Sequence, residues 1–210
     1  MTLNLNVMIG DIERAIRCIE SEYRRNKGLI LTESDLASLV YARLRHLFLS
    51  LSNRSGLRWH MPTQDISILA SPLHLEVPWY DADGKLKIRP DITILDPAQL
   101  SILHQYGGRL RLPSKQFEFG GDAIILELKY IRHKSGVTTA DLKAIESDFN
   151  KIQDNLVGQN ANNRRGQLYC FFVVFNKTDT KCSEFDRYLV NHAQGDWYKY
   201  VYASGHVAFN

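Results

Sequence analysis

Two stretches of this chain are almost purely apolar, Ala123 to Leu128 and Leu168 to Phe175, and an amphipathic segment separates them. Runs of that length and composition mark strands buried on both faces of a sheet. Between them Leu142, Ile145, Phe149, Ile152 and Leu156 recur at intervals of 3, 4, 3 and 4, one stripe of a helix. Thr138 or Thr139 stands where the N-cap belongs, and Gly158 where the helix would stop. Strand, helix, strand is a crossover, which implies a parallel pair. The expected architecture is therefore α/β: a mixed central sheet flanked by helices.

The rest of the chain fits around that unit. Ile9, Ile12, Ile16, Ile19 and Tyr23 line one side of a helix from about Gly10 to Arg25. Thr32 and Asp35 open a second helix, whose buried face carries Leu36, Leu39, Val40, Leu44, Leu47 and Phe48. Three β-rich segments follow, Ile66 to Leu69, Leu73 to Tyr80 and Lys85 to Leu95, with Asp81 to Gly84 as a hairpin loop. Pro97 to Gly121 reads as a short helix and a long Gly- and Arg-containing loop placed for ligand contact. Ser183 to His192 reads as a last helix and Tyr198 to Tyr202 as a last strand. With 210 residues and no linker or repeat, one domain is expected over 1–210. Its core spans about 32–175, and the N-terminal helix and C-terminal helix and strand are additions.

Composition removes several classes. The longest apolar run is eight residues, against the ~20 of a membrane span, and the N-terminus has neither a basic start nor an apolar h-region. A cytoplasmic location is the expectation. Cys18, Cys170 and Cys182 are odd in number and lack CxxC spacing, so buried thiols are expected rather than disulfides or a zinc knuckle. A net charge of +3 allows a polyanionic partner without requiring one. Neither a phosphate-cradling glycine loop nor a dinucleotide signature occurs. Asp81-Ala82-Asp83-Gly84 imitates the start of a calcium loop, but its glycine comes too early.

The informative residues are the charges on the strands. Asp91 begins an extended run in Arg89-Pro90-Asp91-Ile92, and Glu127 and Lys129 flank Leu128 at the end of the first buried run. Side chains alternate along a strand, so Glu127 and Lys129 share a face roughly 6–7 Å apart while Leu128 points the other way. Burying such charges costs free energy unless they are paired or hold a metal. Were the strand of Asp91 to neighbour that of Glu127, the two carboxylates and the Leu128 carbonyl would form an all-oxygen site suited to Mg²⁺ or Mn²⁺. Lys129 would then hold or deprotonate an attacking water and stabilise a phosphorane, which is phosphodiester hydrolysis. The alternative is a structural ion pair of Lys129 with Glu127 or Asp91 in a domain that only binds.

Pro90-Asp91, followed about 35 residues later by Glu127-Leu128-Lys129 in an α-β-β-β-α-β order, resembles the PD-(D/E)XK nuclease superfamily. The resemblance covers roughly Thr32 to Phe175. It implies a restriction-endonuclease-like fold and Mg²⁺-dependent cleavage of DNA, with Asp91 and Glu127 as metal ligands and Lys129 as the catalytic lysine. Members often add an acidic residue from the first core helix, for which Glu33 is the best match; the helix dipole alone also accounts for an acid there. Glu76 flanks the site or faces solvent. Some exonuclease branches carry a glutamine and a tyrosine on the helix after the lysine strand; here Gln153 is followed four positions on by Val157.

Phosphate contacts are expected from Arg132, His133 and Lys134 directly after the lysine strand, and from Arg109, Arg111 and Lys115 in the long loop, with Arg164 and Arg165 before the next strand. Tyr106 and Trp79 are candidates for base stacking or for core packing. No separate recognition domain is visible, so a homodimer or a partner protein would supply specificity. The rival reading is a catalytically inactive nucleic-acid-binding or assembly subunit that keeps the nuclease fold.

Overall fold

Helix α1, Leu5–Arg25, and helix α2, Glu33–Ser52, open the chain. The computed structural model describes residues 5–52, 58–61, 64–67, 71–80, 85–95, 100–102, 117–119, 121–157 and 166–207. A hairpin of β1, Arg58–Met61, and β2, Gln64–Ser67, comes next. Short strands β3, Leu73–Leu75, β4, Trp79–Tyr80, β5, Leu86–Ile88, and β6, Ile92–Leu95, follow. β7, Leu100–Ile102, pairs with β8, Phe117–Phe119. The long β9, Ala123–Ile131, leads through α3, Thr139–Ile152, and one π-helical turn, Gln153–Val157, to β10, Leu168–Asn176. Helix α4, Ser183–Asn191, and β11, Tyr198–Ser204, complete the order.

Five strands form the central sheet in the order β11-β10-β9-β6-β3. β9 and β10 are parallel, as the apolar runs and the crossover predict; β11 adds a third parallel strand, whereas β6 is antiparallel to both β9 and β3. The sheet is therefore mixed. Alternation sends Ile124, Leu126, Leu128 and Tyr130 of β9 into a core under α1 and α2, and Ile125 and Ile131 into a second core under α3 and α4. The predicted stripe of α1 is buried at Ile12, Ile16, Ile19 and Tyr23, with Ile9 packed at its edge. On α2, Leu36, Val40 and Leu44 are buried, while Leu47 is exposed. Helix α1 also covers the open edge of the sheet: Arg17 and Arg24 donate to the Tyr202 and Ser204 carbonyls of β11, and Glu20 accepts from the Ser204 amide at 2.8 Å.

The middle of the chain departs from the sequence-based expectation. The single strands foreseen over Leu73 to Tyr80 and Lys85 to Leu95 are each broken in two. Glu76 has φ 48°, and Pro78 and Pro90 have no amide to give a ladder, so pairing stops at both places. Where a short helix is foreseen after Pro97, residues 100–102 form a strand instead. β4 and β5 do pair as a hairpin; its loop, residues 81–84, lies outside the described residues. The cysteines are free, but Cys18 is exposed and Cys182 half-buried, so only Cys170 is the buried thiol foreseen. Cys18 lies on α1 between the buried Ile16 and Ile19, on the outward part of the turn. Among the described residues no helix is long and apolar enough to cross a membrane.

The turn from β9 into α3 decides how the helix lies on the sheet. Gly136 there has φ 64°, and a Cβ at this position would overlap the backbone of Thr180. The same backbone carbonyl accepts the Val137 amide at 3.0 Å. Gly136→Ala should therefore destabilise the fold by more than ~1 kcal/mol, through both steric overlap and positive φ. Thermal unfolding of the two proteins measures this, and an unchanged midpoint would contradict it.

Candidate active site

β9 outruns its antiparallel neighbour. Ile92, the first residue of β6, pairs with Leu126, so Asp91 falls opposite Glu127 if the register is carried one step further. Directly opposed residues of an antiparallel pair bring their Cβ atoms to about 4.5–5.5 Å. Beyond that point the amides of β9 that face β6 have no strand to receive them, and a buried amide left alone is costly. Two carboxylates take the place of the missing strand. Asp91 Oδ2 accepts the Leu128 amide at 2.7 Å, and Glu33 Oε2, from the first turn of α2, accepts the Tyr130 amide at 3.0 Å. In an extended strand a residue's N–H and C=O point to the same side. The Leu128 carbonyl therefore opens toward Asp91 as well.

Glu127 and Lys129 face α3. Together with Leu128, Ile145, Asp148, Phe172, Val173 and Val174 they line a small cleft between β9, β10 and that helix. Oε2 of Glu127 is buried and has no hydrogen-bond partner. Burial above all, then the charges of Asp91 and Asp148, push the Glu127 carboxyl up to about 8. Asp91 is raised to about 6 by burial, against the Leu128 hydrogen bond that favours its anion; Glu33 adds further repulsion. Lys129 Nζ is 3.9 Å from Asp148 Oδ2. Among the described residues no three His, Cys, Asp or Glu side chains form a ready-made metal site. The available donors are the two carboxylates and the Leu128 carbonyl.

The structure thus gathers Asp91, Glu127, Leu128, Lys129 and Glu33 around the end of one strand. Asp148 is the residue the sequence reading missed. Its signal was present: it lies three positions after the buried Ile145 and next to Phe149, on the face of α3 that meets the sheet. Glu76 is exposed, and its amide donates to the Asp91 carbonyl at 3.0 Å, which ties β3 to the residue that carries the acid.

The expected phosphate contacts divide. Arg132 and Lys134 are exposed on the turn after β9. His133 is engaged within that turn, with Nδ1 2.6 Å from Ser135 Oγ and Nε2 3.2 Å from Asp141 Oδ2. Asp141 also completes the capping box of α3 with Thr138. Arg109, Arg111, Lys115, Arg164, Arg165 and Tyr106 lie outside the described residues. Trp79 is wholly buried in the core under α3, which removes it as a base-stacking platform.

A carboxyl raised above its ordinary value binds a proton more readily in the folded than in the unfolded chain. Such a group stabilises the fold below its unfolded value and loses that contribution as pH climbs through the folded one. Without divalent ions the melting temperature should therefore fall as pH rises from about 5 to about 8, the window set by Asp91 and Glu127. Glu127→Gln should flatten the fall and melt higher than the parent at pH of about 8. A melting curve equally pH-dependent in the variant would contradict the assignment.

No family model matches the chain, and no curated protein or solved structure matches it.

Proposed function

We propose that the protein is a divalent-metal-dependent nuclease that hydrolyses phosphodiester bonds, with DNA as its substrate, on a restriction-endonuclease-like fold. One observation carries the reading: the buried, unpartnered Glu127 oxygen lies close enough to a second, half-buried carboxylate, Asp91, to be repelled by its charge. Asp91 and Glu33 each have a structural reason to be where they are, because they receive strand amides. Glu127 has none. Two anions pressed together in low dielectric favour a shared cation, and all-oxygen donors suit Mg²⁺ or Mn²⁺. Asp91, Glu127 and the Leu128 carbonyl would hold it. When bound, such an ion polarises a phosphodiester and lowers the pKa of a coordinated water.

The chain's own groups supply the rest. Asp91 keeps one oxygen on the Leu128 amide, which fixes its carboxylate and leaves the other oxygen for the ion. Lys129, two residues along the same strand face, brings N–H donors to the attacking water and to charge building on the phosphorus oxygens. Arg132 and Lys134 extend from the same strand end, where they neutralise flanking phosphates. The order of elements and the Pro90-Asp91 and Glu127-Leu128-Lys129 motifs resemble the PD-(D/E)XK superfamily and support the same reading. The amide bonds of Asp91 and Glu33 favour a second one, a nucleic-acid-binding subunit in which these acids are structural.

Cleavage of supercoiled, linear and single-stranded DNA with Mg²⁺ or Mn²⁺ separates the two. Asp91→Asn and Lys129→Ala should each slow cleavage by ~10²-fold or more while the fold survives. Mn²⁺ should raise the melting temperature of the parent, as any ligand of the native state does, and raise it less in Glu127→Gln. A parent that binds DNA in a salt-dependent way but neither cuts it nor responds to Mn²⁺ would establish the binding subunit instead.

A further inference from the structure

We infer that Asp148 is a positioning residue for the amine of Lys129, an inference that rests on the nuclease reading of the site. A lysine amine rides on four methylenes, and holding it in one place costs side-chain entropy of up to ~2 kcal/mol. The cleft supplies a restraint. Asp148 projects from α3 toward β9 and divides its oxygens between two cations: Oδ1 accepts from Lys151 Nζ at 2.9 Å, and Oδ2 lies 3.9 Å from Lys129 Nζ.

The two distances have different consequences. At 2.9 Å Lys151 makes a hydrogen bond that fixes the carboxylate; at 3.9 Å Asp148 attracts Lys129 without engaging one of its protons. The ammonium keeps its donors for a water or a phosphate oxygen. Asp148 itself is held firmly, because Ile145 and Ile152 on the same helix are buried. Its neighbour Phe149 packs against Phe172, Trp197 and Tyr198 with ring centroids 5.0–5.3 Å apart. A surface ion pair of this length contributes little to stability. Its effect lies in where the amine sits relative to Glu127, which lines the same cleft.

The test compares Asp148→Asn, Asp148→Glu, Lys129→Ala and the Lys129→Ala/Asp148→Asn double variant in a Mn²⁺-dependent DNA cleavage assay. Displacing a catalytic group by an ångström costs ~10²-fold, so Asp148→Asn should lower kcat by ~10–100-fold. KM and melting temperature should be unchanged, and Asp148→Glu should recover part of the loss. The double variant should be slowed far less than the product of the two single effects, because most of the Asp148 effect passes through that amine and only the weaker influence of its charge on Glu127 remains once the amine is gone. An Asp148→Asn protein as fast as the parent, or a double variant slowed by the product of the two single effects, overturns the inference. A parent that cuts no DNA instead defeats the nuclease reading, and acetylation by a limiting amine reagent, mapped by mass spectrometry, then decides the positioning. Lys129 should gain label relative to Lys134 in Asp148→Asn, and an unchanged ratio overturns the inference.

Discussion

The site follows from a mismatch in strand length. β9 runs nine residues and β6 only four, so the outer part of β9 has no antiparallel neighbour. Pro90 enforces the mismatch, since a residue without an amide cannot extend the β6 ladder. The amides of Leu128 and Tyr130 that no strand pairs must still be satisfied, and the fold satisfies them with the carboxylates of Asp91 and Glu33. Negative charge is thereby brought to the edge of a strand that already carries Glu127. Repulsion among these acids follows from how the sheet ends, and it adds to burial, the larger cause, in raising both Asp91 and Glu127.

The opposite wall of the cleft is set by packing. α3 is tied down at its start by the Thr138–Asp141 capping box and along its length by Leu142, Ile145 and Ile152. The stack of Phe172 on Tyr200, with centroids 4.9 Å apart, joins β10 to β11 beneath it. A helix so fixed holds Asp148 at a constant height above Lys129. On the other side of the sheet, Tyr130 donates to the Ile30 carbonyl at 2.9 Å and lies 3.1 Å from the Tyr23 hydroxyl. These bonds place the start of α2, and so Glu33, against the end of β9. Both halves of the core meet at the same strand terminus.

The parallel core was legible because its signals are local and redundant. Ala123 to Leu128, the crossover stripe through Ile145 and Leu168 to Phe175 each point to the same arrangement, and the structure has it. The adjacency of Asp91 and Glu127 was legible only conditionally, since strand order depends on contacts distant in sequence. The breaks at Glu76 and Pro90 went unread because alternation continues through them while hydrogen bonding does not. Asp148 was passed over for a related reason: a helix stripe read for apolar residues skips a charged one at its edge. For Trp79 the sequence left base stacking and core packing open, and the ring fills the core.

Glutamine at position 127 would fill nearly the same volume as glutamate, carry no charge, and lie beside Asp91 without repulsion. Judged by stability alone, an acid is the worse occupant: its buried oxygen lacks a partner, and its anion is disfavoured on every side except that of Lys129. Asp91 and Glu33 differ, because their anions gain hydrogen bonds from β9. A residue that weakens the fold where an isosteric neutral one would not is best explained by what it binds. In this sheet the partner proposed for it would be cationic, reachable from the end of β9, and content with oxygen. Those three conditions, rather than the three-residue motif by itself, carry the reading of the site as a metal centre.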